Sequence, residues 1–366
     1  MDFTIDSEQK ALVKAVRGLI TNVYDSSETR REVTKSEPGF SAWEQLAEMG
    51  VLSLPFEASP VEVSLAAEEL GKVIAPDPFV EAIVLAGGLV DALGTDDQRK
   101  QYVDAIAGGE ILPILAWLEP GRRWSAEATG VTYADGKLNG VKAPVVQAER
   151  ADVLLVTAAL PEGGTGVFIV DGATAVETTV TNDGSRAATV TFADTPAVPL
   201  GNGGDQTGAI DVALDRARIA YAHEALGAME TALTTTVAYL KTRKQFGVTL
   251  NTFQALNHRA ADMYVALELA RSAITWATIV AADEATTPEQ LATAASHSAL
   301  QVSVAGRHIG LDAIQLHGGI GMTAEYSVGH YASRLIAIEH LIGDGEFHRA
   351  RLAATVGDHD VYDPIG

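Results

Sequence analysis

Thr242-Arg-Lys-Gln-Phe-Gly247, Thr252-Phe-Gln254, Ala261-Asp-Met263 and Gln315-Leu-His-Gly-Gly-Ile-Gly-Met322 are the stretches on which the reading of this chain turns. They fall on the end of a helix, a turn, a second helix and a glycine loop. Singly they say little: an Arg-x-x-Phe pair near a helix end is usually a surface cation over an aromatic, and Gln-x-x-Gly-Gly is usually a helix terminus with its left-handed cap. Their order and spacing carry the information. Around them apolar residues recur with helical period over 210–241, 252–284, 288–310 and 327–356, the last broken at Gly343-Asp-Gly345. Long helices with short connections predict an antiparallel four-helix bundle, and alanine-rich apolar faces allow close packing.

Upstream the texture changes. Gly201–Gly208 holds four glycines and reads as a hinge. Before it, short runs of alternating apolar and polar residues at 141–146, 152–157, 166–170 and 187–192 predict strands. Asp135-Gly136 and then Asn139-Gly140 predict hairpin turns. Earlier still, Asp6 three residues ahead of Gln9 forms a capping-box pattern at the start of an apolar-periodic helix, and helical patterns follow at 41–49, 61–74, 79–93 and 96–107. The expected fold is α+β: an N-terminal all-α domain over 1–111, a middle antiparallel β domain over 112–205 and a C-terminal four-helix-bundle domain over 206–366.

At 366 residues the chain is too long for one compact core, and with 47% hydrophobic and 20% charged residues it has the composition of a soluble globular protein. A formal charge of −22 opposes nucleic acid and anionic membrane as partners, since each phosphate contact needs a cation against a repulsive field. The absence of cysteine excludes disulfides, thiolate metal sites and cysteine nucleophiles. His308 and His317 lack a paired carboxylate pattern, so no metal is expected. No uninterrupted apolar run reaches the roughly 18 residues of a membrane span, and the polar start is not a signal peptide, so a cytoplasmic location is expected.

In this order of domains and with these motifs, the chain resembles the acyl-CoA dehydrogenase family over essentially its whole length. The resemblance implies an oxidoreductase acting on a CH–CH bond, with FAD as cofactor, an acyl-CoA as substrate and an electron-transfer flavoprotein as acceptor. It also implies a flavin held at a subunit interface. One subunit cradles the isoalloxazine ring and supplies the base, and its neighbour reaches across to the ADP half. The across-interface set is present: Arg243, Phe246, Gln254, Gln315, Gly318 and Gly319. Arg243 has the bidentate geometry suited to a pyrophosphate, and Phe246, placed on the same helical face, would pack on the adenosine portion. Gln315 offers an amide, and the glycines allow close backbone approach.

The ring side departs from the family. Trp117-Leu-Glu-Pro-Gly-Arg-Arg-Trp124 keeps Glu119-Pro-Gly121 but lacks the small hydroxyl donors that cradle the ring, and Pro144-Val-Val146 stands where a Trp-Ile-Thr run is expected. Proline removes a donor and valine a hydroxyl. The carboxylate that takes the α-proton in most members aligns with Ile342, and the alternative position used by a minority aligns with Ala217. Asp344 and Glu346, in the same turn as Ile342, and Glu224, two helical turns past Ala217, are candidate displaced bases. Asp344 between two glycines also reads as a turn or cap residue, and Glu224 as an ordinary helix carboxylate. Arg122-Arg123 beside Trp124 reads as an exposed loop pair or a contact to CoA phosphate.

Erosion of one half of the flavin site and preservation of the other is the pattern of a subunit that lends residues to a partner. The chain is similar in this to the subunit of heteromeric family members, including those that shorten steroid side chains, that lacks the base. The expectation is an α2β2 enzyme with a paralogous catalytic subunit. The alternatives are a self-sufficient homotetramer using Asp344 or Glu224, and a non-enzymatic assembly module.

Overall fold

The computed structural model describes residues 5–24, 39–171 and 175–358. Helices come first: α1 Ser7–Val23, α2 Trp43–Glu48, α3 Leu54–Glu57, α4 Pro60–Lys72, a π-helical stretch Phe79–Gly87 running into α5 Gly88–Leu93, and α6 Asp96–Ala107. α1 begins as the sequence predicts. Asp6 accepts from the Glu8 and Gln9 amides at 2.8 Å each, and the Gln9 side chain returns to the Asp6 amide at 3.0 Å. Ser59 and Thr95 open α4 and α6 with the same box.

Tyr24, at the end of α1, donates its hydroxyl to Asp77 Oδ2, while the buried Oδ1 has no partner among the described residues. Burial, only partly offset by that hydroxyl, pushes the Asp77 carboxyl up to about 6. A carboxyl whose folded pKa lies above its unfolded value takes up a proton on folding, so the penalty is greatest above the folded value and is relieved as pH falls through it. Asp77→Asn is therefore expected to raise stability at pH 7 by about 2 kcal/mol and to flatten the gain between pH 7 and pH 5. Denaturant midpoints at the two pH values check this; an unchanged midpoint at pH 7 would contradict it.

The central sheet comprises β1 Pro113–Ala116, β2 Thr132–Ala134, β3 Lys137–Val146, β4 Val153–Ala159, β5 Thr165–Asp171, β6 Ala175–Val180, β7 Arg186–Pro196 and β8 Val198–Pro199. Its order is β6-β7-β3-β2-β4-β5-β8, with β1 also against β4. Antiparallel pairing dominates, as the alternation predicts, but two parallel pairings join it: β1 along β4 from Pro113↔Val153 to Ala116↔Val156, and β2 with β4 at Thr132↔Ala159. Asp135-Gly136 makes the β2–β3 hairpin turn, with φ of 51° and 77°. Asn139-Gly140 is not the second turn expected. It lies inside β3 at a register shift, where Gly140 has φ 135° and an added Cβ would stand 2.2 Å from the Gly130 carbonyl oxygen. Glycine is there because the backbone of the loop leading into β2 comes so near.

The C-terminal helices are α7 Thr207–Thr242, α8 Gln254–Ala282, α9 Pro288–Gln301 continued through a π turn, Val302–Gly306, into α10 Arg307–His317, then α11 Val328–Ile342 and α12 Gly345–Ala354. α7, about 54 Å long, is buried on nearly every side and forms the central rod. It crosses α4 backbone to backbone: a Cβ on Gly71 or Gly227 would lie 2.0 Å from the carbonyl oxygen of Glu224 or Glu68. α8 is long and apolar enough by composition to cross a membrane, with a mean hydropathy of 1.4 in its most apolar window. It nevertheless packs as a bundle rod. Met263, Leu267, Ala270 and Ile274 enter the core, and Arg271 reaches Glu68 on α4 at 3.1 Å and Glu230 on α7 at 3.5 Å.

Candidate functional site

Arg243 is the C-cap of α7, with φ −70° and ψ 129°. The chain then doubles back as a short hairpin, β9 Lys244–Gln245 and β10 Val248–Thr249. Phe246 stands at its tip with φ 54°, 91% exposed, its ring edge-on to Phe253 at 6.1 Å. The expected placement of Phe246 on the helical face of Arg243 is thus corrected: α7 stops at Thr242, and the hairpin carries the ring. Gln254 opens α8, Gln315 lies in the last turn of α10, and Gly318, at φ 65° and ψ −141°, leads the chain away. All six residues are exposed.

Packing brings these ends together. Tyr239, one turn before Arg243, stacks on His317 at 4.4 Å, and His317 also meets Tyr326 at 4.9 Å. Burial lowers the His317 pKa, so the neutral ring is assigned the tautomer in which Nδ1 donates to the Ala313 carbonyl at 2.8 Å. Arg259 on α8 pairs with Asp312 on α10, fixing the start of one helix against the end of the other. Arg243 has no acidic partner among the described residues, and the space above Gly318 and Gly319 is open to 4 Å. An exposed guanidinium with no acidic partner among the described residues, in a chain of net charge −22 and beside open space at Gly318 and Gly319, fits the diphosphate of an ADP moiety.

The ring side has the opposite character. Trp117, Leu118, Pro144, Val146, Ala217 and Leu341 line a cavity of about 50 Å³, with Glu81, Arg218 and Tyr221 supplying its polar atoms. That volume admits a few waters and no tricyclic ring. The two runs that the resemblance assigns to the ring thus meet, but around a narrow space without their hydroxyl donors. Below them Glu119 ties down its loop: it accepts from the Thr129, Gly130 and Val131 amides at 3.0, 2.7 and 3.0 Å and from the buried Lys142 ammonium at 2.8 Å. Burial opposes ionisation of Glu119, but the Lys142 contact and these amides prevail and hold its carboxyl at about 2.

Neither displaced-base candidate lines this cavity. Glu224 accepts from Arg334 Nε at 2.7 Å, and the same buried guanidinium reaches Asp183 at 3.0 Å and Glu81 at 3.9 Å. Asp344 caps α12, accepting from the Phe347 amide at 2.9 Å, and Glu346 pairs with Arg349 at the surface. Sequence reasoning missed Glu81 and Arg334. Burial pushes the Glu81 carboxyl up against the opposing charge of Arg334, whereas for Asp183 burial is overcome by that charge together with hydrogen bonds from Arg334, Thr181 and the Ser185 amide, which hold the carboxyl low. Glu81 had a signal, being the lone acid in the apolar run Phe79–Gly87. Arg334 had none: its partner Glu224 is 110 residues away along the chain.

The acyl-CoA dehydrogenase N-terminal domain matches residues 6–110 and the acyl-CoA dehydrogenase C-terminal domain residues 207–357. The mitochondrial short-chain specific acyl-CoA dehydrogenase of Homo sapiens is 30% identical over 336 residues, covering 86% of this chain and 79% of that protein. Probable acyl-CoA dehydrogenase YngJ of Bacillus subtilis (strain 168) is 27% identical over 384 residues, covering 96% and 98%. Among solved structures, a variant of the Tcur3481-Tcur3483 steroid ACAD superposes with a TM-score of 0.85 at 28% identity, covering 96% of this chain and 98% of that one. With both terminal domains matched and helices, sheet and bundle in the family's order, this chain belongs to the acyl-CoA dehydrogenase family of FAD-dependent oxidoreductases acting on CH–CH bonds.

Proposed function

We propose that this chain is the non-basic subunit of a heteromeric α2β2 acyl-CoA dehydrogenase, lending one end of its bundle to the ADP half of an FAD whose ring and base belong to a paralogous partner. The observation that carries the reading is the split in the site. The cavity between the runs assigned to the ring is narrow, about 50 Å³, and lined by Ala217 where a base could stand, while Arg243, Phe246, Gln254, Gln315, Gly318 and Gly319 are exposed at one end. Exposed apolar residues on the same elements support a covered surface there: Leu269 on α8, Leu311 on α10 and Met322 beyond Gly319. The Tcur3481-Tcur3483 structure carries two protein names, which supports a two-chain assembly.

FAD, when bound, accepts the hydride that leaves the β-carbon of the acyl thioester. This chain's part is binding. Arg243 would hold the diphosphate, Gly318 and Gly319 would leave it room to approach the backbone, Phe246 would pack on the adenosine, and Gln254 and Gln315 would orient it. Electrons would then pass to an electron-transfer flavoprotein.

The chain purified alone is expected to be colourless, and to gain visible flavin absorption and bleaching by an acyl-CoA only when co-expressed with a base-bearing paralogue. A full flavin complement in the lone chain, reduced on anaerobic addition of acyl-CoAs, would overturn the reading in favour of the self-sufficient homotetramer. That alternative has the geometry of Glu224 and Asp344 against it, since both are committed to other partners. The assembly-module alternative leaves the unpaired Arg243 without a role.

A further inference from the structure

We propose that Trp124 is a site-selecting residue: it shuts this chain's own ring site, so that flavin is held only at the shared interface. The inference rests on the lending-subunit reading and names the device that enforces it. Trp124 closes the run in which the family carries small hydroxyl residues. Its loop is rooted by the Glu119 carboxylate in the Thr129–Val131 amides, so it does not drift. From that root, Gly121 at φ 77° and Trp124 at φ 62° turn the chain towards the helices. A bulky side chain holds a left-handed conformation only when its surroundings fix it.

The fixing contacts cross from the sheet domain to the bundle. Trp124 Nε1 donates to the His340 carbonyl at 3.0 Å, in the last turn of α11, where helix carbonyls have no partner within the helix. The indole lies 5.6 Å from the Phe347 ring at the start of α12. Arg218 stands over the Phe347 ring at 5.7 Å, and Arg123 over Trp124 at 5.8 Å. The result is a column of cation, ring, ring and cation, running from a buried cavity residue to the surface. Each neighbouring pair is attractive. Arg218, at the inner end of the column, and Leu341, which follows His340, both line the cavity, so the column abuts it.

The test uses the full chain alone and riboflavin, a ring without phosphate or adenine, so that only the ring side is probed. Fluorescence quenching is expected to detect no riboflavin binding to the parent chain or to Trp124→Phe, which retains a ring over Phe347. Trp124→Gly should bind at least about tenfold more tightly than the parent. A folded Trp124→Gly protein that binds riboflavin no better than the parent overturns the proposal. Should that variant fail to fold, Phe347→Ala opens the same space from the helix side and is judged by the same outcomes. The lending-subunit reading fails separately, through FAD retention by Arg243→Ala in the mixed complex, a change that leaves riboflavin binding untouched.

Discussion

Alanine in place of Arg243 is expected to strip flavin from the mixed complex. The guanidinium is exposed at the end of α7 with no acidic partner among the described residues, whereas Arg17, Arg271, Arg307, Arg334 and Arg351 each hold a carboxylate. In a chain of net charge −22 a cation left unpaired is available for an anion from outside. Two charge-assisted hydrogen bonds to diphosphate oxygens, lost together, weaken binding by about 3 kcal/mol, or roughly 100-fold. Arg243→Lys should fall between, keeping the charge and losing the fork. Because the Arg243 side chain makes no hydrogen bond or ion pair among the described residues, and its backbone bonds to Tyr239 and Leu250 do not depend on it, neither variant should alter thermal stability of the chain alone. The measurement is FAD content after gel filtration, followed by titration of the apo complex with FAD. Undiminished occupancy in Arg243→Ala would remove the ground for assigning this end of the bundle to the cofactor.

What made Arg243 and its neighbours legible is that they are local. Each motif sits at a helix end, where sequence signals are strongest, and the helices themselves follow from period and capping: the Asp6 box and the 96–107 helix appear as read. What was not legible depends on residues far apart in the chain. β1 is buried at every position and parallel to β4, so Pro113-Ile-Leu-Ala116 shows none of the alternation that marks a half-exposed strand. Asn139-Gly140 carries the code of a tight turn and serves instead for a close backbone contact, because the same glycine freedom answers both needs. The runs that the resemblance assigns to the ring were readable only as missing hydroxyls, and the narrow cavity they line was not. That Trp124 crosses to His340 depends on 216 residues of intervening chain.

Arg334→Met is expected to be the most damaging single change to stability. The guanidinium is buried on α11 between Glu224 on α7, Asp183 in the β6–β7 turn and Glu81 on the π-helical stretch, so one cation serves carboxyls from three parts of the fold. Methionine nearly fills its volume and leaves those carboxyls buried without a cation, at a cost of about 3–5 kcal/mol at pH 7. The sign with pH follows. In the parent, Asp183 is held low by Arg334, so its contribution is present at neutral pH and is lost in acid as pH falls through the depressed value. In the variant burial acts on Glu81 and Asp183 without the guanidinium to oppose it and shifts both upwards, although Asp183 keeps its hydrogen bonds from Thr181 and Ser185, so protonation relieves the strain as pH falls from 7 to 5. The gap between the urea midpoints of parent and variant should therefore narrow in acid; a gap independent of pH would mean that packing alone, and not charge, was lost. Adding Glu224→Gln to Arg334→Met should recover part of the loss, since an unpaired buried charge costs more than the pair it came from. Glu224→Gln alone separates structure from catalysis. As a carboxylate committed to Arg334 it should lower the unfolding midpoint and leave turnover of the mixed complex intact, whereas a folded variant with collapsed kcat would make Glu224 the displaced base after all.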